Sequence, residues 1–134
     1  MSDPRDIVVL RVPRGILALP VMRVVIGGVS AHYKLGVDQL DDVQLAVENL
    51  IAEESKRGAA FELRLWMADD TLRIVVDGLT NQEVKKVLMA PVPAKPARAY
   101  LLGMRLFLPS LVDSYRVVNV TADSYAIEME KMTS

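Results

Sequence analysis

The chain has 134 residues and 51% hydrophobic content, which suits one domain with a real core and excludes a disordered polypeptide. Its 16 basic and 17 acidic residues nearly cancel, so no polyanion partner is implied and direct nucleic-acid binding is set aside. The chain has no cysteine, which excludes disulfides and thiolate metal sites.

Ser2 to Asp6 is polar and charged, unlike the start of a signal peptide. Arg23, Arg105 and Pro109 break the apolar runs well short of the ~20 residues that span a bilayer. A cytoplasmic domain with no membrane partner is expected. Asp6 to Pro13 (DIVVLRVP) is a β-rich run closed by proline and predicts a first strand. Pro20 suits the first turn of a helix, and Val21, Val24, Val25, Gly28, Val29, His32 and Tyr33 keep helical spacing to about Tyr33. Gly27-Gly28 predicts close backbone packing, since each glycine costs a helix roughly 1 kcal/mol against alanine.

Asp38 or Asp41 is expected to cap a second helix that ends at Gly58. Leu40, Val43, Val47, Leu50, Ile51 and Glu54 form one stripe of it, with Asn49 and Glu53 together on the flank. Alternation then takes over. Phe61, Leu63, Leu65 and Met67 share one strand face, as do Leu72, Ile74 and Val76, across a hairpin turn at Ala68 to Thr71. Thr80-Asn-Gln-Glu83 matches a capping box for a short helix through Met89. Pro91, Pro93 and Pro96 force loop structure before a third long helix, about Arg98 to Val112, bent at Pro109. Tyr115 to Thr121 and Ser124 to Lys131 read as a closing hairpin around Ala122-Asp123. The order predicts an α+β two-layer sandwich, with helices on one face of a mixed, mostly antiparallel sheet.

Three stretches carry a resemblance. LPVMRVVIGGVSAHYKLGVDQLDDVQLAV (Leu19 to Val47), FELRLWMADDTLRIVVDG (Phe61 to Gly78) and LLGMRLFLPSLVDSYRVVN (Leu101 to Asn119) are similar, in that order, to the GHKL (histidine-kinase-like, Bergerat-fold) ATPases. The nearest branch is the small anti-sigma-factor serine kinases of bacterial partner-switching systems. The likeness covers nearly the whole chain as apolar spacing with a few polar landmarks.

In that family's N-box a glutamate polarises the attacking hydroxyl, and an asparagine four residues later holds the Mg²⁺ that bridges the ATP phosphates. The resemblance places Asn49 at the glutamate position and Glu53 at the asparagine position, so the two types are exchanged. Glu53 is then the candidate Mg²⁺ ligand. Asn49 cannot act as a base, because an amide takes no proton near neutral pH. Glu48 is the displaced candidate base, rotated ~100° from Asn49 around the helix.

The first glycine box maps Asp77 to the adenine-reading aspartate, with Gly78 beside it; the second leaves Gly103 at the phosphate cradle, with Arg105 as a substitute phosphate ligand. Leu79 and Met104 stand near positions where the family keeps glycine and are expected to fill the cradle. The segment Leu79 to Ala97 has three prolines and no glycine, stiffer than a mobile ATP lid.

Each landmark also has a plainer reading. Asn49 and Glu53 can be the polar rim of a core, Asp77-Gly78 a turn, Gly103 a lone glycine and Arg105 an ion-paired surface arginine. His32 is expected to pack rather than catalyse. Trp66, opposite Leu65 and Met67, is either an exposed partner-binding residue or an amphipathic ring on an open sheet face.

Two functions follow from the resemblance. One is a regulatory binding module that sequesters a sigma factor or an anti-sigma antagonist, as a homodimer, with no tightly bound cofactor. The other is an active ATP-Mg²⁺ serine kinase using Glu53, Asp77 and Glu48. An orphan domain of this fold with an unrelated partner is the third reading.

Overall fold

A computed structural model of the protein describes residues 6–89 and 108–133. In chain order the elements are β1 (Val8–Val12), α1 (Ala18–His32), α2 (Val37–Ala52), β2 (Phe61–Ala68), β3 (Thr71–Leu79), α3 (Gln82–Met89), β4 (Ser114–Val118) and β5 (Tyr125–Met132). Residues 108–111 are also helical; the rest of the expected third long helix, with Pro91, Pro93 and Pro96 before it, lies outside the described residues.

The five strands form one sheet in the order β1-β2-β3-β5-β4, and each of its four pairings is antiparallel. The architecture is therefore the α+β two-layer sandwich that the pattern predicts, with no parallel pair among the described strands. Alternation explains the layering. Leu63 and Leu65 of β2, Leu72, Ile74 and Val76 of β3, and Ile127 and Met129 of β5 are all 0% exposed. They share one core with Met22 and Ile26 of α1 and Val43, Ala46, Val47 and Leu50 of α2.

The other sheet face carries an ionic ladder. Arg73 meets Glu130 at 3.1 Å, Arg116 meets Glu128 at 2.9 Å, and Arg64 meets Glu62 at 2.8 Å. Trp66 lies opposite Arg73 on this face and is half-buried.

Several local expectations are corrected. α1 begins at Ala18, which puts Pro20 in its first turn as expected, but it buries Ala18, Met22, Ile26 and Ser30, a face rotated from the predicted one; Val24 is 75% exposed. The helix is apolar nearly all round, so periodicity alone does not choose its face. A Cβ on Gly28 would meet nothing within 4 Å, and one on Gly27 only Gln44 Nε2 at 3.9 Å, so close packing is not why these glycines are there.

α2 is capped by Gly36 rather than by Asp38 or Asp41: Gln39 Oε1 accepts the Gly36 N–H at 2.9 Å. It ends at Ala52 with Glu53 as C-cap, well before Gly58. Gly58 instead holds a φ of +125°, where L-residues are strained. α3 is capped by Asn81, whose Oδ1 accepts the N–H groups of Glu83 and Val84 at 3.1 Å, and not by Thr80.

Candidate functional site

The last two turns of α2 and its C-cap Glu53 carry the N-box residues. Glu48 is engaged by Arg23 of α1 through Oε1. Asn49 is half-buried, and its Nδ2 is a buried donor with no hydrogen-bond partner among the described residues. The backbone oxygen of Glu53 accepts a 2.7 Å bond from Asn81 Nδ2. The Glu53 carboxylate makes no hydrogen bond or ion pair among the described residues.

Asp77 turns back on its own chain, with Oδ1 accepting the Gly78 N–H at 2.7 Å. Gly78 sits where the β3–β5 register shifts between Asp77 and Leu79. Its φ is +89°, and a Cβ there would lie 3.0 Å from the Ala60 carbonyl oxygen. The glycine is required by the neighbouring strand. Leu79 is 1% exposed and belongs to the main core. Gly103, Met104 and Arg105 lie outside the described residues. His32 is exposed in the last turn of α1, edge-on to Tyr33 at 4.9 Å.

The densest polar cluster is one the motifs did not mark. Arg14, between β1 and α1, and Glu54, just past α2, form an ion pair at 2.9 Å with side chains 2% and 1% exposed. Arg14 Nε donates to Ala59 O at 2.8 Å, Nη1 to Ser55 O at 3.0 Å, and Nη2 to Gly78 O. Its guanidinium lies 4.3 Å from the centre of the Phe61 ring. Glu54 accepts from Thr80 N at 2.8 Å, Thr80 Oγ1 at 2.9 Å and Asn81 N at 2.9 Å.

A carboxylate with four donors and a guanidinium with four acceptors satisfy the condition under which a buried pair is tolerated. Beside them, Tyr125 of β5 donates its hydroxyl to Asn81 O at 2.9 Å. Burial, and then the nearby Glu54 charge, push the Tyr125 phenol pKa up. The available signal was Glu54 itself, a carboxylate at a core position of an apolar stripe, which demands a partner. Arg14 carries no such signal, because its contacts come from residues 40 to 64 positions away.

A cleft of about 210 Å³ next to this pair is lined by Gly15, Leu19, Ile51, Glu54, Lys56 and Phe61, among others. That is smaller than the ~300 Å³ at which drug-sized sites begin. A more open hollow of about 470 Å³ runs between the start of β1 and the last turns of α1, lined in part by Ile7, Val8, Val29 and Tyr33. Among the described residues no three acidic or histidine side chains gather as a metal site, and no helix is long and apolar enough to cross a membrane. Comparison with models of known protein families and with curated proteins gives no match to this chain.

Proposed function

We propose that this chain is a regulatory binding module similar to the anti-sigma factors of bacterial partner-switching systems, acting by sequestration of a protein partner with nucleotide binding weak or lost. The observation that carries this reading is the state of the base position. Asn49 stands where the family's glutamate would polarise a hydroxyl, and Glu48, the adjacent carboxylate, is held by Arg23.

These residues fit a magnesium nucleotide poorly. Asp77 spends an oxygen on its own Gly78 N–H, and Gly78 is committed to the Ala60 strand and to Arg14. Exposed apolar side chains of the kind protein interfaces cover stand on both sides of the sheet, Ile16 and Val24 at 84% and 75% on and before α1 and Val9 at 57% on the opposite face of β1. The element order, with hairpins following two helices, supports the family likeness.

The partner class is a sigma factor or an anti-sigma antagonist, and the module is cytoplasmic and self-associates as a homodimer. The test is fluorescence anisotropy of labelled sigma factors and antagonists with the purified chain in nucleotide-free buffer. A saturable complex with one of them, unchanged by ATP and Mg²⁺, is expected. Binding to none of them, or only with ATP, overturns the reading. The kinase alternative draws on one observation, the Glu53 carboxylate left without a partner among the described residues, where Mg²⁺ would sit.

A further inference from the structure

Glu54 occupies the buried end of the α2 stripe, yet its carboxylate is turned onto the backbone that starts α3. It takes the N–H groups of Thr80 and Asn81 together with the Thr80 hydroxyl, while Arg14 neutralises it from the other side. Asn81, fixed this way, caps α3 and also donates to Glu53 O. One ion pair therefore sets the position of a helix that lies 26 residues further along the chain.

We infer that the Arg14–Glu54 pair is a latch for α3: when it is closed α3 is docked, and when it opens α3 leaves as a unit while the five-stranded sheet stays folded. Three features support this. α3 buries Val84 and Leu88, two side chains, whereas β2, β3 and β5 each bury several. Apolar burial is the main force holding an element down, so α3 belongs at the low end of local stability.

A hinge lies in the right place. Leu79, 1% exposed and paired with Tyr125 of β5, stays with the sheet, so α3 pivots at Thr80 and Asn81, the two residues whose N–H groups Glu54 holds. The pair itself is close to all-or-none. Losing either member leaves a buried charge without its counterion, so partial opening is disfavoured and release is switch-like. The Tyr125–Asn81 bond is a second tether from the sheet, weaker because it is neutral. The latch works the same way whichever partner the chain binds.

Hydrogen exchange read by mass spectrometry on the full chain tests this, comparing wild type with Glu54→Gln and Thr80→Ala. In Glu54→Gln, amides of residues 80–89 are expected to exchange at least about tenfold faster and with little dependence on urea, while those of β2, β3 and β5 stay slower than α3 and keep the full urea dependence of global unfolding. In Thr80→Ala, which removes one latch bond and leaves the ion pair, the same segment accelerates by about threefold. Should Glu54→Gln fail to fold, Thr80→Ala decides alone. A smaller urea dependence for residues 80–89 than for the sheet strands supports the latch. One urea dependence shared by α3 and the strands, or no acceleration in α3, overturns it.

Discussion

Replacing Glu54 by alanine removes one member of a buried ion pair and orphans the donors that converge on it. Those donors are Arg14 Nη1 at 2.9 Å, Thr80 N at 2.8 Å, Thr80 Oγ1 at 2.9 Å and Asn81 N at 2.9 Å. Breaking a buried pair by deleting one partner costs about 3–5 kcal/mol. The cost here belongs toward the lower part of that range. Arg14 keeps the carbonyls of Ala59, Ser55 and Gly78, and Thr80 is exposed enough for water to satisfy it.

A loss of about 3–4 kcal/mol in urea unfolding is the expected result. That is a large share of the ~5–15 kcal/mol that holds a domain together. Arg14→Met should cost a similar amount. The double variant Arg14→Met/Glu54→Leu should lose at least about 2 kcal/mol less than the sum of its single variants, because neither charge is left stranded. A Glu54→Ala loss below about 1 kcal/mol, the range of exposed ion pairs, would refute the reasoning. So would an additive double variant.

Gly28→Ala should stabilise the protein by about 0.5–1 kcal/mol, measured by the same unfolding assay, because it sits inside α1 and its Cβ would meet nothing within 4 Å. Gly78→Ala should cost about 2 kcal/mol or more, since its φ is +89° and the added methyl would sit 3.0 Å from the Ala60 oxygen. The raised phenol of Tyr125 gives a pH window at the alkaline end. The phenol stays protonated in the folded state and ionises on unfolding, so its stability contribution is intact below the ordinary value of 10.0 and falls as pH rises above it. The slope approaches about 1.4 kcal/mol per pH unit in urea melts between pH 10 and 11.5. Tyr125→Phe should flatten that slope and cost about 1 kcal/mol at neutral pH through the lost bond to Asn81 O.

The strands were the most legible part of the chain because period-two alternation reports directly on a half-buried sheet. Leu63, Leu65, Leu72, Ile74 and Val76 all stand on the covered face where the pattern put them. The turn between β2 and β3 was legible for a local reason too, with Asp69 at a φ of 56°, a conformation that Asp tolerates. Helix ends were less legible because distant residues decide them. Thr80 looked like a cap, but its hydroxyl is taken by Glu54, and Asn81 caps instead. The second helix stops at Ala52 rather than Gly58, where Asn81 takes the Glu53 carbonyl and Arg14 that of Ser55.

The α1 face is not legible in the sequence because valine, isoleucine and leucine ring the helix, and packing against α2 as well as the sheet selects Met22 and Ile26. In the candidate site, the exchange of Asn49 and Glu53 was visible in sequence, as was the oddity of Glu54 in an apolar stripe. The partner that resolves Glu54 was not visible, since it stands 40 residues upstream in a loop between two prolines.

Under the proposed function, this domain regulates by binding protein and needs no nucleotide. Calorimetric titration of the purified chain with ATP and with ADP, each with and without Mg²⁺, tests it most directly. No saturable heat is expected up to millimolar nucleotide in either condition. Micromolar, Mg²⁺-dependent binding that is lost in Glu53→Ala would contradict it and restore the kinase reading.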